Sequence, residues 1–291
     1  MRGLFGFMAV IMLSVMCVSQ SWAWEREMSC YVGEDCPEGQ EPLPTYWDEP
    51  CISFHLNEVG TTLMDFGVVR EVVKASIAAW DLGEQTSLKA FYAGETNEDR
   101  IGYNPYIKEN TNIITFRDTD WEGSRAVMAY TSVTSRISTG EIFDADLELN
   151  SQYYKFGVVT ENNKGVVDLQ NTVTHELGHV FGLDHSDDET ATMYWVADAG
   201  DTFMRDLAPD DIEGIVTVYP PGEKVASCEF KASYFEKPPY AMDEGYSSDG
   251  NCSIFGVRDG KEKNDILWLA FLMTVFILVA RRRESDVVSC R

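Results

Sequence analysis

Thr174-His175-Glu176-Leu177-Gly178-His179-Val180-Phe181-Gly182-Leu183-Asp184-His185 places two histidines four residues apart with a glutamate directly after the first. On a helix that spacing puts both imidazoles on one face. Gly182 falls where the helix should stop, because glycine takes the left-handed cap conformation without a Cβ penalty. A chain reversed at that point can bring His185 back toward His175 and His179. Three neutral imidazoles leave one position of a tetrahedral zinc open to water, the arrangement of a catalytic rather than a structural site. His175, His179 and His185 are therefore the expected zinc ligands, and Glu176 the expected general base beside the metal-bound water.

Two features of the surrounding sequence favour this over a surface helix with incidental histidines. Val166, Leu169, Val173, Leu177 and Val180 recur every three or four residues, an apolar stripe that anchors one helical face and leaves the histidines on the other. The chain has only four histidines, and three of them lie in this window. The fourth, His55, falls in an alternating segment and is expected to be a packing residue.

Working outward, Asp65 to Leu82 has helical spacing at Phe66, Val69, Val73, Ile77 and Trp80, and ends at Gly83. Strands are expected at Cys51 to Leu56, Leu88 to Ala93, Asn112 to Phe116, Ala126 to Val133 and Ile142 to Leu149, the last two joined through Ser138-Thr139-Gly140. A final helix follows Ala208, with Pro209 at its first position and Asp210 and Asp211 complementing its dipole. Pro220-Pro221-Gly222 stops it. Grouped strands with one early crossover helix indicate an α+β fold, a mixed sheet with helices packed on it.

The ends differ in kind. Residues 1–23 have a basic start at Arg2, an apolar run, and Ser21-Trp22-Ala23 as a small-x-small cleavage site, which reads as a signal peptide. Residues 24–50 are rich in Pro, Glu and Gly and read as an irregular lead-in to a domain over 51–221. Residues 222–265 are polar, with Gly, Ser and Pro, and read as a stalk. Ile266 to Ala280 is unbroken apolar sequence followed by Arg281-Arg282-Arg283. It is expected to be a transmembrane or sorting segment that leaves residues 281–291 in the cytoplasm and the large domain outside. The expected location is the cell surface, with membrane contact through that segment.

Formal charge is −25, which argues against a nucleic-acid partner. Cys30, Cys36, Cys51, Cys228 and Cys252 lie in the exported part, so two disulfides and one remaining cysteine are expected. A Cys228–Cys252 loop with Cys51 joined to Cys30 or Cys36 is one arrangement. None of them sits with the histidines.

The motif His175-Glu176-x-x-His179-x-x-Gly182-x-x-His185 resembles that of the metzincin zinc endopeptidases, and among them the matrixins. Ser186 follows the third histidine as it often does there. Met193-Tyr194 stands at the spacing of the family's Met-turn, whose methionine lies beneath the zinc histidines. Leu207-Ala208-Pro209-Asp210-Asp211-Ile212-Glu213-Gly214-Ile215 is similar to its final-helix signature, and Phe143-Asp144-Ala145-Asp146-Leu147-Glu148-Leu149 to the strand before its active-site helix.

The resemblance implies a metzincin-like catalytic domain, one catalytic Zn2+, and a protein or peptide substrate lying along a sheet edge at Ala126 to Val133. It also implies Ca2+ as a further metal, for which Asp144, Asp146 and Glu148 are candidate ligands unless they form a solvated face. Three departures stand out. Trp195 replaces the proline usual after the Met-turn tyrosine, the histidine-rich structural-zinc segment is absent, and so is the cysteine-switch propeptide motif. The expected protein is a monomeric zinc endopeptidase. Two alternatives remain open: a non-catalytic surface binding or adhesion module on the same fold, and a zinc amidase acting on cell-wall cross-links.

Overall fold

The computed structural model describes residues 23–32, 35–49, 51–107, 110–222, 246–252 and 255–257, the last two segments as backbone. The expected signal segment, membrane segment and cytoplasmic tail lie essentially outside these residues. Among the described residues no helix is long and apolar enough to cross a membrane.

The elements in chain order are β1 (Tyr46–Trp47), β2 (Cys51–Asn57), α1 (Phe66–Ala79), β3 (Lys89–Thr96), β4 (Ile113–Phe116), β5 (Ala129–Arg136), β6 (Glu141–Leu149), β7 (Phe156–Gly157), β8 (Val167–Asp168), α2 (Leu169–Val180), β9 (Val196–Asp198), α3 (Pro209–Val218), β10 (Tyr246–Cys252) and β11 (Phe255–Val257). The main sheet runs β10-β5-β6-β4-β2-β3, with β1 parallel to the start of β6. The β2–β3, β2–β4 and β4–β6 pairs are parallel, whereas β5 is antiparallel to β6. This is the expected α+β mixed sheet.

Local chemistry explains the two helices that bear on the site. The Asp65 carboxylate accepts from the Val68 amide and starts α1, as an N-cap should. Val69, Val73 and Ile77 of α1 then pack inward with Trp80. Helix α2 starts later than its apolar stripe suggests. Asp168 caps it by accepting from the Asn171 amide, so Val166 is buried ahead of the helix rather than in it. Leu169, Val173, Leu177 and Val180 have no exposed surface, and Phe181 meets Trp80 and Phe54 edge-on, at 5.5 and 6.2 Å between ring centroids. The layer between helices and sheet is thus an interlocked aromatic and aliphatic core.

Two further expectations are revised. The lead-in is pinned down: Arg26 bridges to Leu183 and Met28 to Pro44, and the Glu27 amide donates to Gly182 O at 3.1 Å. The polar stalk contains β10, antiparallel to β5, and β11, parallel to β9. β10 is rich in small polar residues and β11 has only three residues, so neither carries the apolar alternation by which strands are recognised.

Cysteine pairing also differs. Cys30 bonds to Cys36, and Cys51 is disulfide-bonded as well, so Cys51 joins neither of them. A tight turn accounts for the local pair, because the Cys36 amide donates to Tyr31 O and the Tyr31 amide to the Asp35 carboxylate.

Candidate metal centre

Helix α2 carries His175 and His179, and the turn at Gly182 returns the chain. Gly182 adopts φ +86°, and a Cβ there would stand 2.6 Å from Thr45 O, so a side chain would meet both backbone strain and a clash. Beyond the turn, His185 closes the group. The ligand atoms of His175, His179 and His185 lie within 4.8 Å of one another, the one such metal-ligating group among the described residues. His55 lies apart on β2.

Ring orientation is set by backbone carbonyls. His175 Nδ1 donates to Thr192 O at 2.7 Å, and His179 Nδ1 to Leu183 O at 2.9 Å. A ring protonated at Nδ1 presents a lone pair at Nε2. The two Nε2 atoms stand 3.2 Å apart, and the buried Nε2 of His185 has no hydrogen-bond partner.

Burial holds the rings neutral. Desolvation pushes His175 down to about 4. It takes His179 and His185 well below the ordinary value, helped by repulsion from the neighbouring imidazoles. Converging acceptors with no proton between them repel unless a cation sits among them. Tetrahedral zinc with Zn–N bonds of 2.0–2.1 Å puts its nitrogens about 3.3 Å apart, which matches the 3.2 Å between His175 and His179 Nε2. These three residues could hold a zinc ion.

Glu176 has no exposed surface, and its Oε2 accepts from Thr131 Oγ1 of β5 at 2.6 Å. The same hydroxyl reaches Glu176 O at 3.2 Å. Thr131 was not legible from sequence, since a strand threonine in an alternating run looks like any other β-former.

Beneath the histidines lies Met193, fully buried. A Cβ at Gly178 would fall 2.1 Å from its sulfur and 3.1 Å from Trp80. Glycine at 178 therefore makes room for the methionine between the two helical histidines. Trp80 Nε1 in turn donates to Thr174 O at 3.0 Å and steadies α2.

The loop carrying Met193 is held by Asp211. Its carboxylate accepts from the amides of Thr192, Met193 and Ala208 at 2.8, 2.9 and 2.8 Å. Asp210 accepts from Ser186 Oγ and from the Ala23 amide, both at 2.7 Å. Both acids are buried, so their main role is to tie this loop to α3 rather than to face solvent at a helix start. The acid pair in the first turn of the helix was the available signal, but it names no partner.

The acids of β6 are likewise not a solvated face. Asp144 and Asp146 are each 1 % exposed, and Asp146 accepts from the amides of Gly102 and Ile113. Glu148 is paired with Arg117 instead, at 2.5 Å. The three do not form a ligand set comparable to the histidines.

A mixed sheet, a buried helix bearing two histidines and a loop returning a third define an α+β domain with a three-histidine group that could hold a metal. The family model of the matrixins, peptidase family M10, matches residues 46–220, and the chain belongs to that family. It is 39 % identical over 72 residues to metalloendoproteinase 1-MMP of Arabidopsis thaliana, covering 23 % of this chain and 20 % of that protein. It is 48 % identical over 54 residues to metalloendoproteinase 5-MMP of the same plant, covering 19 % and 15 %. Against human matrilysin it is 38 % identical over 60 residues, covering 21 % and 22 %. The chain thus spans only about a fifth of the length of these curated relatives, or less.

Proposed function

We propose that the chain is a zinc-dependent endopeptidase acting on extracellular or cell-surface proteins, with His175, His179 and His185 as metal ligands and Glu176 as general base. The observation that carries this reading is the convergence of three neutral Nε2 lone pairs beside a buried glutamate held by Thr131. Matrixin membership supports it.

Zinc, when bound, would acidify a water and polarise the scissile carbonyl. Glu176 takes a proton from the attacking water as the C–O bond forms, and delivers it to the leaving amine nitrogen as the C–N bond breaks. Thr131 orients that carboxylate. Thr192 O and Leu183 O fix the rings of His175 and His179 through Nδ1, so that Nε2 faces the metal. Met193 shapes the floor without ligating. Export through the N-terminal signal and anchoring by residues 266–280 belong to the same proposal, and rest on the sequence.

The test uses the full chain in mild detergent, with zinc measured by elemental analysis and a generic protein substrate. About one zinc per chain and chelator-sensitive cleavage are expected, with turnover abolished and zinc retained in Glu176→Gln. Substantial proteolysis by Glu176→Gln would remove Glu176 as the base. Zinc bound without cleavage of any protein would turn the reading toward a non-peptide substrate or a binding role.

A further inference from the structure

Residues 246–252 and 255–257 pair with two strands that adjoin residues of the candidate metal site. Strand β10 pairs antiparallel with β5, Cys252 opposite Thr131, Asn251 opposite Ser132 and Gly250 opposite Val133. Thr131 is the residue whose hydroxyl holds Glu176. Strand β11 pairs parallel with β9, Phe255 opposite Val196. Val196 lies three residues after Met193, the floor of the site. Cys252 and Phe255 are three residues apart, so pairing with β5 and pairing with β9 follow one another closely in the chain.

Without β10, β5 would be the edge of the sheet. An exposed edge strand offers its amides and carbonyls to an extended peptide, and strand addition is a recurrent way of holding one. Those groups are here taken by the chain's own segment. The burial agrees in part, since His175, Glu176 and His179 have no exposed surface, while the His185 side chain keeps 20 % exposure.

We propose that strands Tyr246–Cys252 and Phe255–Val257 occupy the substrate groove in cis and mask the metal site. The proposal rests on the endopeptidase reading above. It makes the segment and an incoming peptide mutually exclusive on β5 and β9. The segment Tyr246-Ser247-Ser248-Asp249-Gly250-Asn251 is poor in strand-formers, and its register shifts between Ser247 and Gly250. Glycine and asparagine weaken a strand, so the mask is held mainly by its tether and can be displaced. At an effective concentration of about 1 mM, a segment with a Kd of about 0.1 mM would suppress activity about tenfold.

The test breaks the ladder in the full chain with the double variant Gly250→Pro/Asn251→Pro. Consecutive prolines remove adjacent amide donors and exclude the segment from a regular ladder. Hydrogen exchange of the 129–136 amides and kcat/KM on a peptide substrate are measured in both proteins, with zinc content as the folding control. Faster exchange on β5 and about a tenfold rise in kcat/KM are expected, reversed competitively by a synthetic peptide of residues 246–257. Unchanged β5 exchange and unchanged kcat/KM, with no inhibition by the peptide, would overturn the mask and leave the endopeptidase reading intact. Faster exchange in the variant with no cleavage by either protein would support occupancy of the groove while removing the peptidase reading.

Discussion

Replacing Asp211 by alanine is expected to loosen the floor of the metal site from a position that is not itself a ligand. Three amides lose their acceptor at once: Thr192, Met193 and Ala208. Hydrogen bonds to a charged acceptor contribute about 1.5–3 kcal/mol each, and a buried donor left without one costs about 1–3 kcal/mol. Simple addition would exceed what single substitutions usually show. One observation selects the lower end. Burial raises the Asp211 carboxyl above its ordinary range, and the three amides only partly offset that, so much of the gain from those bonds is already spent on desolvation. About 3 kcal/mol is the resulting expectation, equivalent to a fall in Tm of roughly 6–12 °C for a domain of this size.

The same change reaches the metal. Thr192 O accepts from His175 Nδ1 at 2.7 Å, so a mobile Thr192 releases that ring, and zinc affinity should fall about 10- to 100-fold. Thermal unfolding of the metal-free protein reads the first effect, and titration against a competing chelator reads the second. A loss below about 1 kcal/mol with unchanged zinc affinity would refute the claim that Asp211 organises the loop.

Gly178→Ala sets helix propensity against packing. Alanine gains about 1 kcal/mol in a helix interior, but its Cβ meets Met193 and Trp80, and overpacking costs about 1–3 kcal/mol, so denaturant unfolding should show a net loss. A more stable variant would mean that Met193 moves aside freely. Thr131→Val removes the hydroxyl that orients Glu176; kcat should drop about tenfold with little change in KM, and Thr131→Ser should restore it. Asp144 and Asp146 are both raised by burial, Asp146 to about 7. An acid whose folded value lies above its unfolded one binds more protons when folded, so this pair makes stability fall as pH rises from about 4 to about 7. The Tm of Asp144→Asn minus that of the wild type should therefore grow across that window, and a flat difference would place the titration elsewhere.

Much of the fold was legible because local sequence and tertiary structure agree. Apolar spacing placed α1 and the strands at Cys51, Leu88, Asn112 and Ile142 within a few residues, and the Pro209 start with the Pro220-Pro221-Gly222 stop placed α3. The strand expected over Ala126 to Val133 runs Ala129–Arg136. The short β1, β7, β8 and β9 escaped, since two or three residues carry no period. The aromatic packing of Trp80 on Phe181, the choice of Thr131 as partner to Glu176 and the inward turn of Asp144 and Asp146 depend on where distant segments meet.

The sequence by itself was enough to bring His175, His179 and His185 together, because a helical repeat puts the first two on one face and a left-handed glycine returns the chain to the third. Only the tertiary structure decided what holds them. Thr192 O and Leu183 O orient the rings, Asp211 secures the Met193 loop, and residues 246–252 and 255–257 lie along β5 and β9. The Leu183 contact is local, but hydrogen bonds such as those of Thr192 and Asp211 join segments farther apart and leave no periodicity in either partner, which keeps them out of the sequence pattern.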